Sequence, residues 1–116
     1  MNMSLYADYI RETKNHKVVE HEDGFYEYSL KQECLYLENI YVKPSARGFR
    51  VVKRYIRELA EVAKQYDLPS ITGVVNVEHH NVNHILMLYL KNNVSIIGAL
   101  DNNIYVSIGV EDALKL

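Results

Sequence analysis

Four cations crowd one short stretch of this chain. Arg47, Arg50, Lys53 and Arg54 follow a strand-like segment ending in Val42-Lys43-Pro44, and the turn Ser45-Ala46-Arg47-Gly48-Phe49-Arg50 leads straight into a long helical pattern. Unpaired backbone N–H groups at a helix start, with the helix dipole behind them, form an anion site, and guanidinium groups grip phosphate oxygens in pairs. A phosphate or pyrophosphate is the ligand this chemistry fits; a plain solvated helix face is the alternative.

Three other groups of reactive residues invite weaker readings. In Glu78-His79-His80-Asn81-Val82-Asn83-His84, the residues His80 and His84 are four apart and would share a helix face, as metal ligands can. The order His-Glu-x-x-His is absent and no third ligand stands at a recognised spacing, so no metal is expected and His79 and His80 read as loop residues. Cys34 is the sole cysteine, which excludes an internal disulfide and a cysteine-rich zinc site, and no histidine adjoins it to activate a thiolate. Tyr26, Tyr28, Tyr36 and Tyr41 sit on strand-like segments beside the basic block, an arrangement that could stack nucleobases; half-buried strand tyrosines explain them more simply, and no nucleic-acid partner is expected.

These residues need elements to position them. Ser4 to Asn15 carries Leu5, Tyr6, Tyr9 and Ile10 at helical spacing, with Ser4 as the N-cap. Val18 to Glu22 and Phe25 to Leu30 read as strands around an Asp23-Gly24 turn, and Cys34 to Lys43 as a third and longer strand. Pro44 stops that strand. Val51 to Tyr66 is the clearest helix, its apolar stripe running Val52, Tyr55, Ile56, Leu59, Ala60, Ala63, Tyr66. Ile71 to Val77 reads as a buried strand and Asn81 to Asn92 as a second helix in an apolar setting. Val94 to Leu100 and Ile104 to Gly109 form a hairpin about Asp101-Asn102-Asn103. The order gives an α+β fold in which antiparallel strands lead to one parallel β-α-β crossover, 34–43 to 51–66 to 71–77. With no repeats and no linker-like tract, one domain is expected over residues 1–116.

The 116 residues are 48% hydrophobic and 24% charged, as a globular domain requires and a disordered chain does not. No apolar run is long enough to cross a bilayer, and the first residues lack the pattern of a secretory signal, so a cytoplasmic setting and no membrane partner are expected. The net charge of −2 conceals segregation. Residues 1–38 hold four Lys/Arg against eight Asp/Glu, residues 39–66 seven against two, and residues 67–116 two against five. The excess positive charge falls on the crossover loop and helix.

Leu37-Glu-Asn-Ile-Tyr-Val-Lys-Pro-Ser-Ala-Arg-Gly48, followed by an amphipathic helix, a strand and Asn81-x-x-His84-Ile85, resembles the GCN5-related N-acetyltransferase (GNAT) superfamily. The resemblance runs over residues 17–109 by element order and is sharpest over 37–60. It implies a mixed central sheet whose bulged third strand splays from the next one. It also implies acetyl-CoA as cofactor and an amine as acceptor, the amine attacking the thioester directly. Carried over by position, the backbone of Ile40, Tyr41 and Val42 would pair with pantetheine and Asn81 would hydrogen-bond it. Arg47, Gly48, Phe49, Arg50, Val51 and Val52 would cradle the pyrophosphate. Glu38 would be the base, with Glu27 and Glu33 in support, and Tyr89 the acid.

The chain departs from the family at three places. The pattern Gln/Arg-x-x-Gly-x-Gly/Ala reads Arg47-Gly48-Phe49-Arg50-Val51-Val52, with Arg50 and Val52 where glycine or a small residue lets amides reach phosphate. Arg50 brings charge in compensation, whereas Val52 would narrow the cradle. Leu88 stands at the expected tyrosine position and Tyr89 one residue later, a turn of about 100° on a helix. Only one helix precedes the first hairpin, so the acceptor side looks truncated relative to the family. A catalytically silent interaction protein, its cofactor lost, is therefore the second reading. Arg47-x-Phe49-Arg50 and Asn81-x-x-His84-Ile85 resemble short bacteriophage members of the superfamily, which suggests a virion component. The exposed C-terminal hairpin edge could also pair between subunits, in a homo-oligomer or a larger protein assembly.

Overall fold

The computed structural model describes residues 4–78 and 81–116. Its elements follow the order α1 (Leu5–Lys14), β1 (Lys17–His21), β2 (Gly24–Leu30), β3 (Leu35–Val42), α2 (Phe49–Gln65), β4 (Ser70–Asn76), α3 (Val82–Lys91), β5 (Ser95–Leu100), β6 (Asn103–Gly109) and α4 (Val110–Leu114), with a 3₁₀ turn at Pro44–Ala46. The six strands form one mixed sheet in the order β1-β2-β3-β4-β6-β5. Neighbours are antiparallel except β3 and β4, the parallel pair joined by the α2 crossover.

The parallel pair is short. Only Leu35↔Ile71 and Tyr36↔Thr72 are in register, after which β3 and β4 separate. On its other edge β3 stays paired to β2 as far as Gly24↔Val42, with one irregularity between Glu27 and Tyr28 where Asn39 and Leu37 are the partners. Glu38 is thus the extra residue of a β-bulge. A bulge bends its strand and increases its twist, which turns the end of β3 away from β4.

Helix α2 covers one face of the sheet. Tyr55, Ile56, Leu59, Ala60 and Ala63 are buried against Tyr26, Tyr28, Leu35, Ile71, Val106 and Ile108 in the main core. The small side chains of Ala60 and Ala63 suit the close approach of α4, whose Val110 and Ala113 join the same core. A sequence of only five helical residues after Gly109 gives no periodicity, and α4 was not expected. Helix α2 also begins at Phe49, two residues before the expected start at Val51, so Arg50 lies inside its first turn.

Helix α1 lies over β1 and β2. Ser4 caps it by accepting the Ala7 N–H at 3.1 Å, as its type predicts. Ala7 and Ile10 are buried with Val18 and Phe25, while Leu5 is 88% exposed and Tyr9 also faces outward. Of the four apolar residues at helical spacing, Leu5, Tyr6, Tyr9 and Ile10, only Ile10 is buried.

A polar cluster pins the β1–β2 turn to α2. Asp23 accepts from the Tyr55 hydroxyl at 2.6 Å and from Arg54, and Glu58 accepts from Tyr26 at 2.6 Å while lying 2.7 Å from His21 Nε2. The first of these bonds, followed by Arg54, holds the Asp23 carboxyl below the usual carboxylate range. Burial and then the Asp23 carboxylate push the Tyr55 hydroxyl up to about 12. The cluster fixes the height of α2 over the sheet, and so the position of its first turn.

Candidate functional site

Where β3 and β4 part, they leave a slot of about 890 Å³. Its walls come from Leu37 to Val42 on one side and Gly73 to Asn76 on the other; Val52 and Ile56 of α2 and Asn81, Ile85, Leu88 and Tyr89 at α3 close it. Its chemistry is that of two strand edges with mainly apolar side chains, among which Glu38, Asn39, Asn76 and Asn81 are polar. Lys43 donates its N–H to the Asp23 carbonyl, so the odd-numbered residues at this end of β3 turn their backbone toward β2. Ile40 and Val42 accordingly turn theirs toward the gap, and the Val42 carbonyl accepts from Arg47 Nε at 3.1 Å. The Tyr41 carbonyl faces Gly24 instead, where an added Cβ would stand 2.0 Å from it. The ring of Tyr41 stacks on Phe25 at 5.7 Å and lies under the Arg47 guanidinium.

The mouth of the slot opens on the start of α2. No side chain caps this helix end: its N-cap is Gly48, whose φ of 156° is one that L side chains rarely adopt. The first amides of α2 have no partner within the helix. A second, basic concavity of about 610 Å³ adjoins, lined by Arg47, Gly48, Arg50, Arg54 and Arg57 with Ser45 and Asp23. Arg47 and Gly48 belong to both cavities. Arg50 is exposed toward the basic one, and Val52 forms part of the slot wall while packing on the core. Because α2 starts at Phe49, Val52 is its fourth residue, and it lines the slot wall while packing on the core. Backbone amides, four arginines and the slot thus meet at one place.

Glu38 is held by two neighbours. Ser29 Oγ donates to its Oε2 at 2.6 Å, and His16 Nε2 lies 3.5 Å from the same oxygen. His16 Nδ1 is 2.7 Å from Glu27 Oε2, and Glu27 is only 5% exposed. Neither His16 nor Ser29 was singled out in the sequence. The signal was a lone histidine after a helix and a serine in a strand, and only the sheet register brings them together. Glu33 stays exposed in the turn between β2 and β3. Tyr89 packs its ring against Phe49 at 5.9 Å and lines the slot beside Leu88; burial raises its hydroxyl above the ordinary tyrosine value, so it remains a proton donor at neutral pH. Asn81 occupies the N-cap position of α3 and lines the slot, without a side-chain cap bond to the helix.

The metal reading of His80 and His84 falls on a residue outside those described. Among the described residues no group of three His, Cys, Asp or Glu side chains is arranged to hold a metal ion. Among them, too, no helix is long and apolar enough to cross a membrane.

Residues 5–91 match the family model described as the acetyltransferase (GNAT) family. No curated protein matches in sequence. Among solved structures, the chain is similar to a PaiA N-acetyltransferase from Thermoplasma acidophilum in complex with coenzyme A, with a TM-score of 0.67 and 15% identity over 86% of this chain and 65% of that one. It is similar to a Bacillus subtilis acetyltransferase in complex with CoA, at 0.64 and 16% over 88% and 82%. A GNAT family acetyltransferase from Elizabethkingia anophelis with acetyl-CoA bound gives 0.65 and 14% over 90% and 86%. The chain therefore spans less than two thirds of the first of these structures, and all three likenesses are of fold. They lend no support to a bacteriophage origin.

Proposed function

The chain belongs to the acetyltransferase (GNAT) family, and on that premise we propose that it transfers an acetyl group from acetyl-CoA to an amine by direct attack. The observation that carries the reading is the slot opened by the divergence of β3 and β4 after Tyr36 and Thr72, continuous at Arg47 and Gly48 with an uncapped helix start among arginines. The residues present fit the cofactor. Backbone groups of Ile40 and Val42 would pair with the pantetheine amides, and Asn81 would add a side-chain contact. Amides from Phe49 to Val52, with Arg47 and Arg50, would hold the pyrophosphate; Arg50 supplies as charge what a glycine supplies as close approach. Tyr41 contributes by stacking beneath Arg47 rather than by its carbonyl.

Acetyl-CoA brings the thioester carbonyl. Glu38, at the bulge and on the slot wall, takes a proton from the amine so that its nitrogen lone pair can form the new C–N bond. Tyr89, protonated at neutral pH as tyrosines ordinarily are, would give its proton to the sulfur as the C–S bond breaks. Release of free thiol from acetyl-CoA in the presence of a panel of primary amines tests this. The wild type should turn over at least one amine. Glu38→Gln should lower kcat by about 10²–10⁴-fold, Tyr89→Phe should lower it less, and both should keep the KM for acetyl-CoA. Unchanged kcat in either variant would remove that residue from its role.

One observation favours the second reading, a catalytically silent interaction module. Every residue of the edge strand β5 is exposed, Ile97 at 59% and Leu100 at 65% among them. An apolar edge strand is a template for pairing with another chain, including a second copy. Assembly measured in solution, without acetyl-CoA binding or turnover, would favour that reading over transfer.

A further inference from the structure

The arrangement of His16 between two carboxylates goes beyond a single base. Asn15 closes α1 in the left-handed conformation, at φ 57°, and this turns the chain so that His16 lands beside β2 before β1 begins. There it meets Glu27, whose carboxylate is buried on the face of β2 opposite α2. Burying a carboxylate is costly unless it is paired, and the 2.7 Å contact to His16 Nδ1 is the pairing. The bulge does the rest. In a regular strand, successive side chains alternate faces, and Asn39, opposite Glu27, already takes this one. The extra residue lets Glu38 share the face of Asn39, within reach of Ser29 and His16.

The consequence is a fixed order of atoms. A carboxylate only accepts, so in the neutral imidazole the contact with Glu27 favours the proton of His16 on Nδ1 and the lone pair on Nε2. That lone pair faces Glu38 Oε2 at 3.5 Å. We propose that His16 is the positioning residue behind Glu38, oriented by Glu27 to take over the proton that Glu38 collects from the amine. This rests on the reading of Glu38 as the base. The amine proton passes to Glu38 as the C–N bond forms, and the electron pair of the C–S bond leaves on sulfur, which is protonated by Tyr89. The proton on Glu38 then moves to His16 Nε2. Glu38 is again an anion, and the imidazolium lies between two carboxylates until it releases the proton to water. At 3.5 Å the contact is long for transfer; a small rotation of Glu38 or one bridging water closes it.

The test uses turnover and ring nitrogen NMR on the full chain. His16→Asn keeps a side-chain amide to donate to Glu27 but cannot take a proton. It should lower kcat by about 10–100-fold with the acetyl-CoA KM within about twofold and an unchanged melting temperature. The double variant His16→Asn/Glu38→Gln should be no slower than Glu38→Gln alone. Full activity in His16→Asn would mean the histidine merely ties α1 to the sheet, and additive losses would mean it does not act through Glu38; either overturns the proposal. Independently of turnover, ¹⁵N shifts at about pH 8, where an ordinary imidazole is neutral, should show the proton on Nδ1 in the wild type and a mixture in Glu27→Gln. A proton on Nε2 in the wild type overturns the relay while leaving the transfer reading intact. The Nδ1 tautomer in a protein that turns over no amine overturns the transfer reading, and the relay with it.

Discussion

Val52 and Arg50 stand where a small side chain would bring backbone closest to an anion, yet neither blocks the slot. Val52 joins its wall, and Arg50 faces the basic concavity beside it. Their types were legible as departures; where their side chains lie was not, because that depends on where the helix starts. The opposite holds for His16 and Ser29, whose types say nothing until β2 and β3 are paired. Asp23 shows what a local charge does for the fold. Its carboxyl is lowered by the Tyr55 hydroxyl and then Arg54, so its contribution to stability is complete above the unfolded value of about 3.9 and is lost as pH falls through the lower folded value. Thermal melts across the acid range should therefore show Asp23→Asn less stable than wild type at neutral pH, with the gap closing below about pH 4. A gap that is constant or widens in acid would contradict this.

Elements rather than residues decide whether the slot exists. The crossover strand, helix and strand were readable from apolar periodicity, Pro44 and the turn residues, as were the hairpin of β5 and β6 and the Ser4 cap. The divergence of β3 from β4 was available only through the family resemblance. A bulge leaves no mark in a single sequence, since it is a relation between two strands. Gly24 is the element-scale residue to test. A Cβ there would lie 2.0 Å from the Tyr41 carbonyl oxygen and 3.0 Å from the Tyr55 hydroxyl. The end of β3 and helix α2 both press on this point, so Gly24→Ala should destabilise the protein by about 1–3 kcal/mol or more, read from urea denaturation. It should also weaken acetyl-CoA binding in the folded fraction, because Val42 and Arg47 follow directly. Equal stability to wild type would mean that β3 is not anchored at this point.

At the scale of the molecule, charge and shape agree on one place. The positive block of residues 39–66 and the gap in the sheet meet at the first turn of α2, while the negative N-terminal segment supplies Glu27 and Glu38 on the opposite face of β2 and β3. Segregated charge was legible from the start; that its two signs lie on either side of one slot required the fold. The most direct measurement is the melting temperature of the wild type and of Arg47→Ala and Arg50→Ala against acetyl-CoA concentration. A ligand at a hundredfold above its Kd adds about 2.7 kcal/mol, on the order of 10 °C for a domain of this size. A saturable rise in the wild type, reached only at higher concentration in either arginine variant, is the predicted result. No shift at millimolar acetyl-CoA, or an equal shift in all three proteins, would contradict it.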